Sequence, residues 1–200
     1  MSKNAETDAP IVNTLAVRWS PVAFSDEPVA SADLKSLFEA ARWAPSSYNE
    51  QPWRYLVGIK GQGDGHARIL ECLAEGNQGW AKNAPVLVVG VVMRNFSANG
   101  KPNKAAEHDL GLAAGNLLIE ATVRGLHVHQ MIGLDPEALR DAFSIPDDAE
   151  AFTALAIGHL DTSSDADPAH KARDSKPRSR IKQTDFVFAD RFGNPASFQA

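Results

Sequence analysis

The stretch PVLVVGVVM, residues 85–93, decides the fold of this 200-residue chain. Its residues are aliphatic almost throughout, and no charged or amide side chain interrupts them. A strand with one face in water alternates apolar and polar residues, so a continuous apolar run predicts a strand buried on both faces. The run is far too short to span a bilayer. The sequence therefore predicts a central strand covered on both sides.

Three further segments predict strands, and helical patterns lie between them. WRYLVGIK (53–60) alternates its large side chains, LHVHQM (126–131) is short, and FTALAIGHL (152–160) is apolar. The clearest helix carries a stripe of Leu and Ala over 110–121, small enough for another helix to approach closely. The predicted helix-boundary residues are Ser31 as an N-cap, Pro45 and Gly76 as stops, Gly125 as a C-cap, and Asp135 with Pro136 as a start. Mixed strands and helices predict an α/β or α+β fold with one main sheet.

Composition restricts the possible functions. Apolar residues make up 44% of the chain, which suits one folded domain with a sizeable core. The net charge of -5 argues against a general nucleic-acid binder. The basic stretch 170–182 is either a solvated tail, which is favoured, or a nucleic-acid patch. A single cysteine, Cys72, excludes an internal disulfide. The first ten residues lack an apolar stretch, so we expect no signal peptide and a cytoplasmic protein.

Two motifs suggest a ligand-binding site, but for each a simpler structural interpretation is favoured. GQGDGHAR (61–68) lies between a strand and a helix, but His66 replaces the third glycine of a dinucleotide loop, so a surface turn is favoured. His127 and His129 share one face of a strand. Their spacing can bind a metal, but no third ligand is near in sequence, so packing or a hydrogen bond is favoured. Ser46 and Ser47 have no evident partner base, and a hydrolase has little support.

An arginine and a hydroxyl precede the first long helix. Arg18 and Ser20, in RWSPVAF, supply a planar donor fork and one further donor, which suits a phosphate. Arg178 and Arg180 lie near the other end of the chain. Joined in space, the four side chains would form a strong phosphate site.

Five stretches in order give the chain a family resemblance. They are RWSPVAF (18–24), APSSYNEQPW (44–53), NQGWAKNAPVLVV (77–89), GLHVHQMIGLD (125–135) and RSR (178–180). Together they resemble the FMN-dependent nitroreductase family over roughly residues 13–190. The resemblance implies an α+β fold with a central, mostly antiparallel sheet flanked by helices. It also implies a homodimer with exchanged C-terminal arms and FMN at the subunit interface. The expected divisions are a flexible tail (1–12), an FMN-binding domain (13–180) and an arm packing on the partner (181–200).

The resemblance also implies a set of cofactor-binding residues. At the phosphate and ribityl end these are Arg18, Trp19, Ser20, Arg178 and Arg180. Against the flavin ring they are Pro45, Ser46, Ser47 and Asn49, with Asn49 reaching the cofactor from the partner subunit, and Gln51 as either a ligand contact or a backbone tether. Asn77 is expected at the pyrimidine edge. Gln130, Met131 and Gly133 are expected beside the ring, with the Gly133 amide near N5. No metal is expected.

The implied activity is transfer of hydride from NADH or NADPH through FMN to a nitroaromatic, a quinone or an activated alkene, with ping-pong kinetics. Alternatives of the same fold are dehalogenation, flavin breakdown or a non-catalytic flavin-binding module. The chain departs from the family pattern at Val22, where a basic residue is common, and Lys82 is a candidate to compensate. Ile132 replaces an acid of some members, and 95–104 lies where substrate-covering segments vary. Neither nucleic acid nor membrane is an expected partner.

Overall fold

A computed structural model describes residues 3–199 as a four-stranded sheet packed between helices. The strands are β1 (Trp53–Ile59), β2 (Val86–Met93), β3 (His127–Met131) and β4 (Ala149–Gly158). The α-helices are α1 (Asn13–Val17), α2 (Ser31–Arg42), α3 (Gly65–Glu71), α4 (Glu75–Ala81), α5 (Ala106–Val123), α6 (Pro136–Phe143) and α7 (Pro168–Asp174). Short 3-10 turns cover Ser47–Asn49, Gln183–Asp185 and Ser197–Gln199.

The sheet has the strand order β1-β2-β4-β3, and every neighbouring pair is antiparallel. The predicted α+β class with an antiparallel central sheet is therefore confirmed. β1 and β3 form the two edges and are separated by β2 and β4. At about 4.8 Å between neighbouring strands, the edges lie roughly 14 Å apart.

The central strand β2 is buried on both faces, as its apolar run predicts. Val86, Val88 and Val92 pack with residues of α2 and α5 on one face. Leu87, Val89 and Val91 pack with residues of α3, α4 and α6 on the other. Successive side chains of a strand point to opposite faces, so a strand between two helical layers must be apolar at every position.

Gly90 lets α5 lie close to this strand. A Cβ on Gly90 would stand 2.9 Å from Thr153 Cγ2 and 3.2 Å from Leu110 Cδ1. The small-residue stripe of α5 faces the sheet and α2, and Ala113, Leu117 and Ala121 are fully buried. The gap at Gly90 and the stripe together allow the helix to pack closely on β2.

Helix boundaries were partly predictable from local signals. Asp135 caps α6 as expected, because its side chain accepts from the backbone N–H groups of Glu137 and Ala138. The N-cap assignment of Ser31 is wrong: Ala30 precedes α2, and Ser31 is its first helical residue. The assignment of Gly76 as a stop is also wrong, since α3 ends at Glu71 and Gly76 lies inside α4. None of the helices within residues 3–199 is both long and apolar enough to cross a membrane.

Candidate functional site

Three arginines from the two ends of the chain meet at one cavity of about 390 Å³. Arg18, Arg178 and Arg180 line it together. Burial lowers the pKa of Arg18, and the neighbouring charges of Arg178 and Arg180 lower it further. Ser20 accepts a hydrogen bond from Arg18 Nη1 at 3.3 Å. Like charges brought together in a partly buried pocket favour a bound anion.

The N-terminal segment lies against this cavity. Arg178 Nη1 donates to the backbone oxygens of Lys3 and Ala16, both at 2.6 Å. The Lys3 ammonium lies over the ring of Trp19, 4.4 Å from its centroid. Glu6 and Asp8 line the cavity with the arginines. Acidic and basic side chains therefore share the wall of one pocket.

Asn77 and Gly133 form a second feature, beyond the end of β3. Asn77 Nδ2 donates to the Gly133 oxygen at 3.1 Å, and the N–H of Ala74 donates to the same oxygen at 3.0 Å. A Cβ on Gly133 would stand 2.9 Å from Asn77 Nδ2 and 3.1 Å from Ala74 Cβ. Only glycine fits there without displacing its neighbours. The preceding Met131 is buried in the core, whereas Gln130 is exposed.

The segment from Pro45 to Gln51 adopts a strained backbone before β1. Tyr48, Asn49 and Gln51 have φ of 53°, 55° and 54°, in the left-handed region that non-glycine residues rarely occupy. Ser46 Oγ accepts from the Gln51 N–H at 3.0 Å, and Gln51 Nε2 donates to the Asn49 oxygen at 3.0 Å. Gln51 thus makes the tether that was one of its two predicted roles. Strain of this kind persists only where the surroundings fix it, and it is typical of functional sites.

Asp109 fixes this segment from α5. Its side chain is only 2% exposed, and its Oδ2 accepts from the Ser47 N–H at 2.9 Å. Its Oδ1 lies 3.0 Å from His108 Nδ1. Asp109 is not among the residues predicted from the sequence. Its position on the buried stripe of α5 is nevertheless a signal for such a role, since an acid is rarely buried without a partner.

The candidate residues therefore fall into two groups at opposite edges of the sheet. One group, the β3 half, contains Arg18–Ser20, Asn77, Gln130–Gly133, Arg178 and Arg180. Trp19 packs edge-on against His127 of β3. The other group, the β1 half, is Pro45–Gln51, which leads directly into β1. Two intervening strands separate the halves within one chain.

The paired histidines serve packing. His129 Nδ1 lies 2.7 Å from the Pro21 oxygen, and its ring contacts that of Trp80 at 4.5 Å between centroids. His127 Nδ1 is buried and has no hydrogen-bond partner within residues 3–199. Burial lowers the pKa of both histidines. No group of three or more His, Cys, Asp or Glu in that part of the chain is placed to hold a metal ion.

Val22, which stands where the family commonly has a basic residue, is a core residue in this structure. The Val22 side chain is fully buried, packed in the core cluster that also contains Phe24 and Trp80. Lys82, the candidate to compensate, is exposed at the end of α4. The pKa of Asp167 is lowered by a hydrogen bond from the Ala169 N–H and, more weakly, by the nearby charges of His170 and Lys82. Lys82 therefore lies close to the start of α7.

The fold and the site define an α+β protein with a basic pocket beside one edge of an antiparallel sheet. Comparison with known proteins agrees with this class. The sequence model described as "Nitroreductase family" matches residues 15–76 and 59–159. A solved structure described as an oxidoreductase containing FMN is 33% identical, with a TM-score of 0.88, over 97% of this chain and 98% of that one.

Two curated relatives extend the comparison. A Streptomyces coelicolor protein, provisionally named as an NADH dehydrogenase/NAD(P)H nitroreductase, is 30% identical over 156 residues, which cover 68% of this chain and 76% of the relative. An uncharacterized 15.4 kDa protein of Mycolicibacterium smegmatis is 34% identical over 71% of this chain and 99% of its own length. The chain belongs to the nitroreductase family, as the five ordered stretches predict. This membership supports an oxidoreductase function in general terms.

Proposed function

We propose that the protein is an FMN-dependent NAD(P)H oxidoreductase, and the meeting of Arg18, Arg178 and Arg180 at one cavity carries this proposal. Three guanidinium groups with the Ser20 hydroxyl match the phosphate dianion of FMN in charge and in donor count. The resemblance predicted all four positions; the three arginines line the cavity, and Ser20 contacts one of them.

The flavin ring would lie beside Asn77 and Gly133. The Asn77 amide donates to the Gly133 oxygen, so its own oxygen can accept from the single N–H of the pyrimidine edge. The absence of a side chain at Gly133 lets its backbone lie against Asn77 and Ala74, and the resemblance would place its N–H near N5 of the flavin. These residues would bind and orient the ring, while Gln130 adds an exposed amide next to them.

A second subunit would complete each site. The β1 half lies across the sheet from the β3 half, so one flavin ring would have to bridge the roughly 14 Å between the edges to touch both in one chain. A homodimer that brings the β1 half of one subunit to the β3 half of its partner removes this obstacle. The arm 181–200 supports the same arrangement, because Ile181, Phe186 and Phe192 are 66%, 55% and 94% exposed.

When bound, FMN accepts hydride from NADH or NADPH and delivers it to an electron-poor acceptor such as a nitroaromatic, a quinone or an activated alkene. The residues of this chain supply binding, orientation and exclusion of water. Donor and acceptor would occupy the same face in turn, which predicts ping-pong kinetics. We place this activity in the cytoplasm.

The test starts with the purified protein. We expect a yellow preparation that releases FMN on denaturation and oxidises NADH or NADPH when an acceptor is added. The double variant Arg18→Ala/Arg180→Ala should bind FMN about 100-fold more weakly or worse, because each charge-assisted hydrogen bond contributes roughly 1.5–3 kcal/mol. Arg173→Ala is the matched control, since Arg173 is exposed on α7 and does not line the cavity. A colourless protein that cannot be reconstituted with FMN would contradict the proposal.

A further inference from the structure

One carboxylate ties the two arginine-bearing segments together. Both oxygens of Asp174 lie 3.1 Å from the Val22 N–H, and Oδ2 also accepts from the Ala23 N–H at 2.9 Å. Val22 follows Arg18 by four residues, and Arg178 follows Asp174 by four residues. The carboxylate therefore bridges the start of the chain to its end, next to the arginine cavity.

The segment 18–24 is held from a second direction by β3. His129 Nδ1 lies 2.7 Å from the Pro21 oxygen, one residue before the Asp174 contacts. Ala23 and Ser25 also bond the backbone of Asp161 and His159, beyond the end of β4. Three consecutive residues thus have their backbone polar groups fixed by partners distant in sequence. Such a segment holds its arginine at a defined position.

The position of Asp174 is electrostatically unfavourable for a carboxylate. It is the last residue of α7, and the C-terminal end of a helix carries a partial negative charge that disfavours an acid. The lysine ammonium of Lys3 donates to the Asp174 backbone oxygen, which brings the N-terminal segment to the same point. The two backbone donors offset the unfavourable position of the carboxylate.

We propose that Asp174 is a positioning residue for the phosphate of the cofactor. It sets the distance between Arg18 on one segment and Arg178 and Arg180 on the other, so that their guanidinium groups converge on one anion. This inference rests on the proposed function, because it assigns Asp174 to the phosphate end of the same site.

The experiment compares FMN with riboflavin, which has the same ring and no phosphate. Dissociation constants are measured by flavin fluorescence for the full chain and for Asp174→Ala, Asp174→Asn and Asp167→Asn. We expect Asp174→Ala to weaken FMN binding roughly tenfold, because the bridge that fixes the Arg18 segment relative to Arg178 and Arg180 is lost and the guanidinium groups converge less well. Asp174→Asn keeps one acceptor oxygen, so its FMN affinity should lie between those of Asp174→Ala and the unaltered chain. Asp167→Asn makes the same chemical change at the other end of α7 and should leave binding unchanged.

Riboflavin separates positioning from general loss of structure. If Asp174 positions the phosphate site, riboflavin affinity stays the same in every variant that melts cooperatively. An equal loss for FMN and riboflavin would show a merely structural role and overturn the inference. Unchanged FMN affinity in both Asp174→Asn and Asp174→Ala would overturn it as well. Failure of the unaltered chain to bind FMN would instead refute the proposed function.

Discussion

The β3 half and the β1 half of the candidate site are built by different means. In the β3 half, side chains from the two ends of the chain converge, and burial and mutual repulsion shift the pKa of Arg18 downwards. In the β1 half, three of seven consecutive residues adopt a left-handed backbone, and one buried acid fixes the segment from α5. The β3 half therefore consists of charged residues that are distant in sequence, whereas the β1 half consists of one short segment with an unusual backbone conformation.

This difference shows what each half can contribute. A cluster of guanidinium groups supplies affinity for an anion wherever the ligand presents one. A strained backbone supplies shape and short polar groups in a fixed geometry. Binding strength is therefore expected to depend on the β3 half, and the placement of the ring and acceptor on the β1 half.

The sharpest test mixes two defective chains. One carries Arg18→Ala/Arg180→Ala and the other carries Ser47→Ala/Asn49→Ala, with separate affinity tags to isolate the heterodimer. If the halves come from different subunits, the heterodimer has one site with both halves intact and binds one FMN as the original chain does, whereas each homodimer has a defect in both of its sites and binds FMN more weakly. FMN titration of the three species measures this. Heterodimers that bind no better than the defective homodimers would place both halves in one chain.

Removing the Asp109 carboxylate should destabilise the β1 half and leave the β3 half intact. Asp109→Ala leaves the Ser47 N–H without its acceptor and creates a small cavity, so we expect the free energy of unfolding to fall by about 2–3 kcal/mol. Urea denaturation measures the change. His108→Ala removes the exposed partner of the same carboxylate and should cost much less. Equal losses in the two variants would show that Ser47 does not depend on Asp109.

Acid should weaken the β3 half. Burial holds the pKa of His127 and His129 below the ordinary value of 6.5. The unfolded chain then binds more protons as the pH falls, so the stabilising contribution of the neutral rings is full above about pH 6.5 and is lost below it. Urea denaturation between about pH 7.5 and pH 5 measures this slope. The charged groups near the two rings are His159, Asp174, Arg173 and Arg18.

Two variants test whether His127 and His129 cause the dependence of stability on pH. His127→Gln/His129→Gln should flatten the fall in stability with acid, because the two buried imidazoles of β3 are removed. His108→Gln alters an exposed histidine beside the β1 half and should retain the slope of the original chain. A slope that survives the double substitution would assign the acid sensitivity to other groups.

The smallest effect concerns the acids that line the arginine cavity. Glu6→Gln/Asp8→Asn should raise FMN affinity about two- to fivefold, because two negative charges beside an anion site are removed while solvent screens most of their effect. Riboflavin affinity should not change. Asp141→Asn, on the exposed side of α6, controls for net charge. A matching rise in that control would assign the gain to overall charge rather than to the N-terminal segment.

Local sequence signals predicted those parts of the fold that depend on neighbouring residues. The apolar run 85–93 became a strand buried on both faces, and Asp135 with Pro136 began a helix, because the hydrogen bonds of a cap and the two-residue period of a strand are local. The prediction that a helix ends at Gly76 was wrong, because glycine also occurs inside short helices that tertiary packing stabilises. The missed α4 is such a helix, held by the burial of Trp80 and Ala81.

The sequence by itself determined the family and predicted the residue types of the candidate site, since both follow from motifs in a fixed order. Only the tertiary structure brought Arg18 to Arg178 and Arg180, tied Val22 to Asp174 and set the two halves at opposite edges of the sheet. These contacts join residues more than 150 positions apart, and no local pattern encodes a long-range distance. They follow from the strand order and the packing of helices on both faces, which the whole chain decides together.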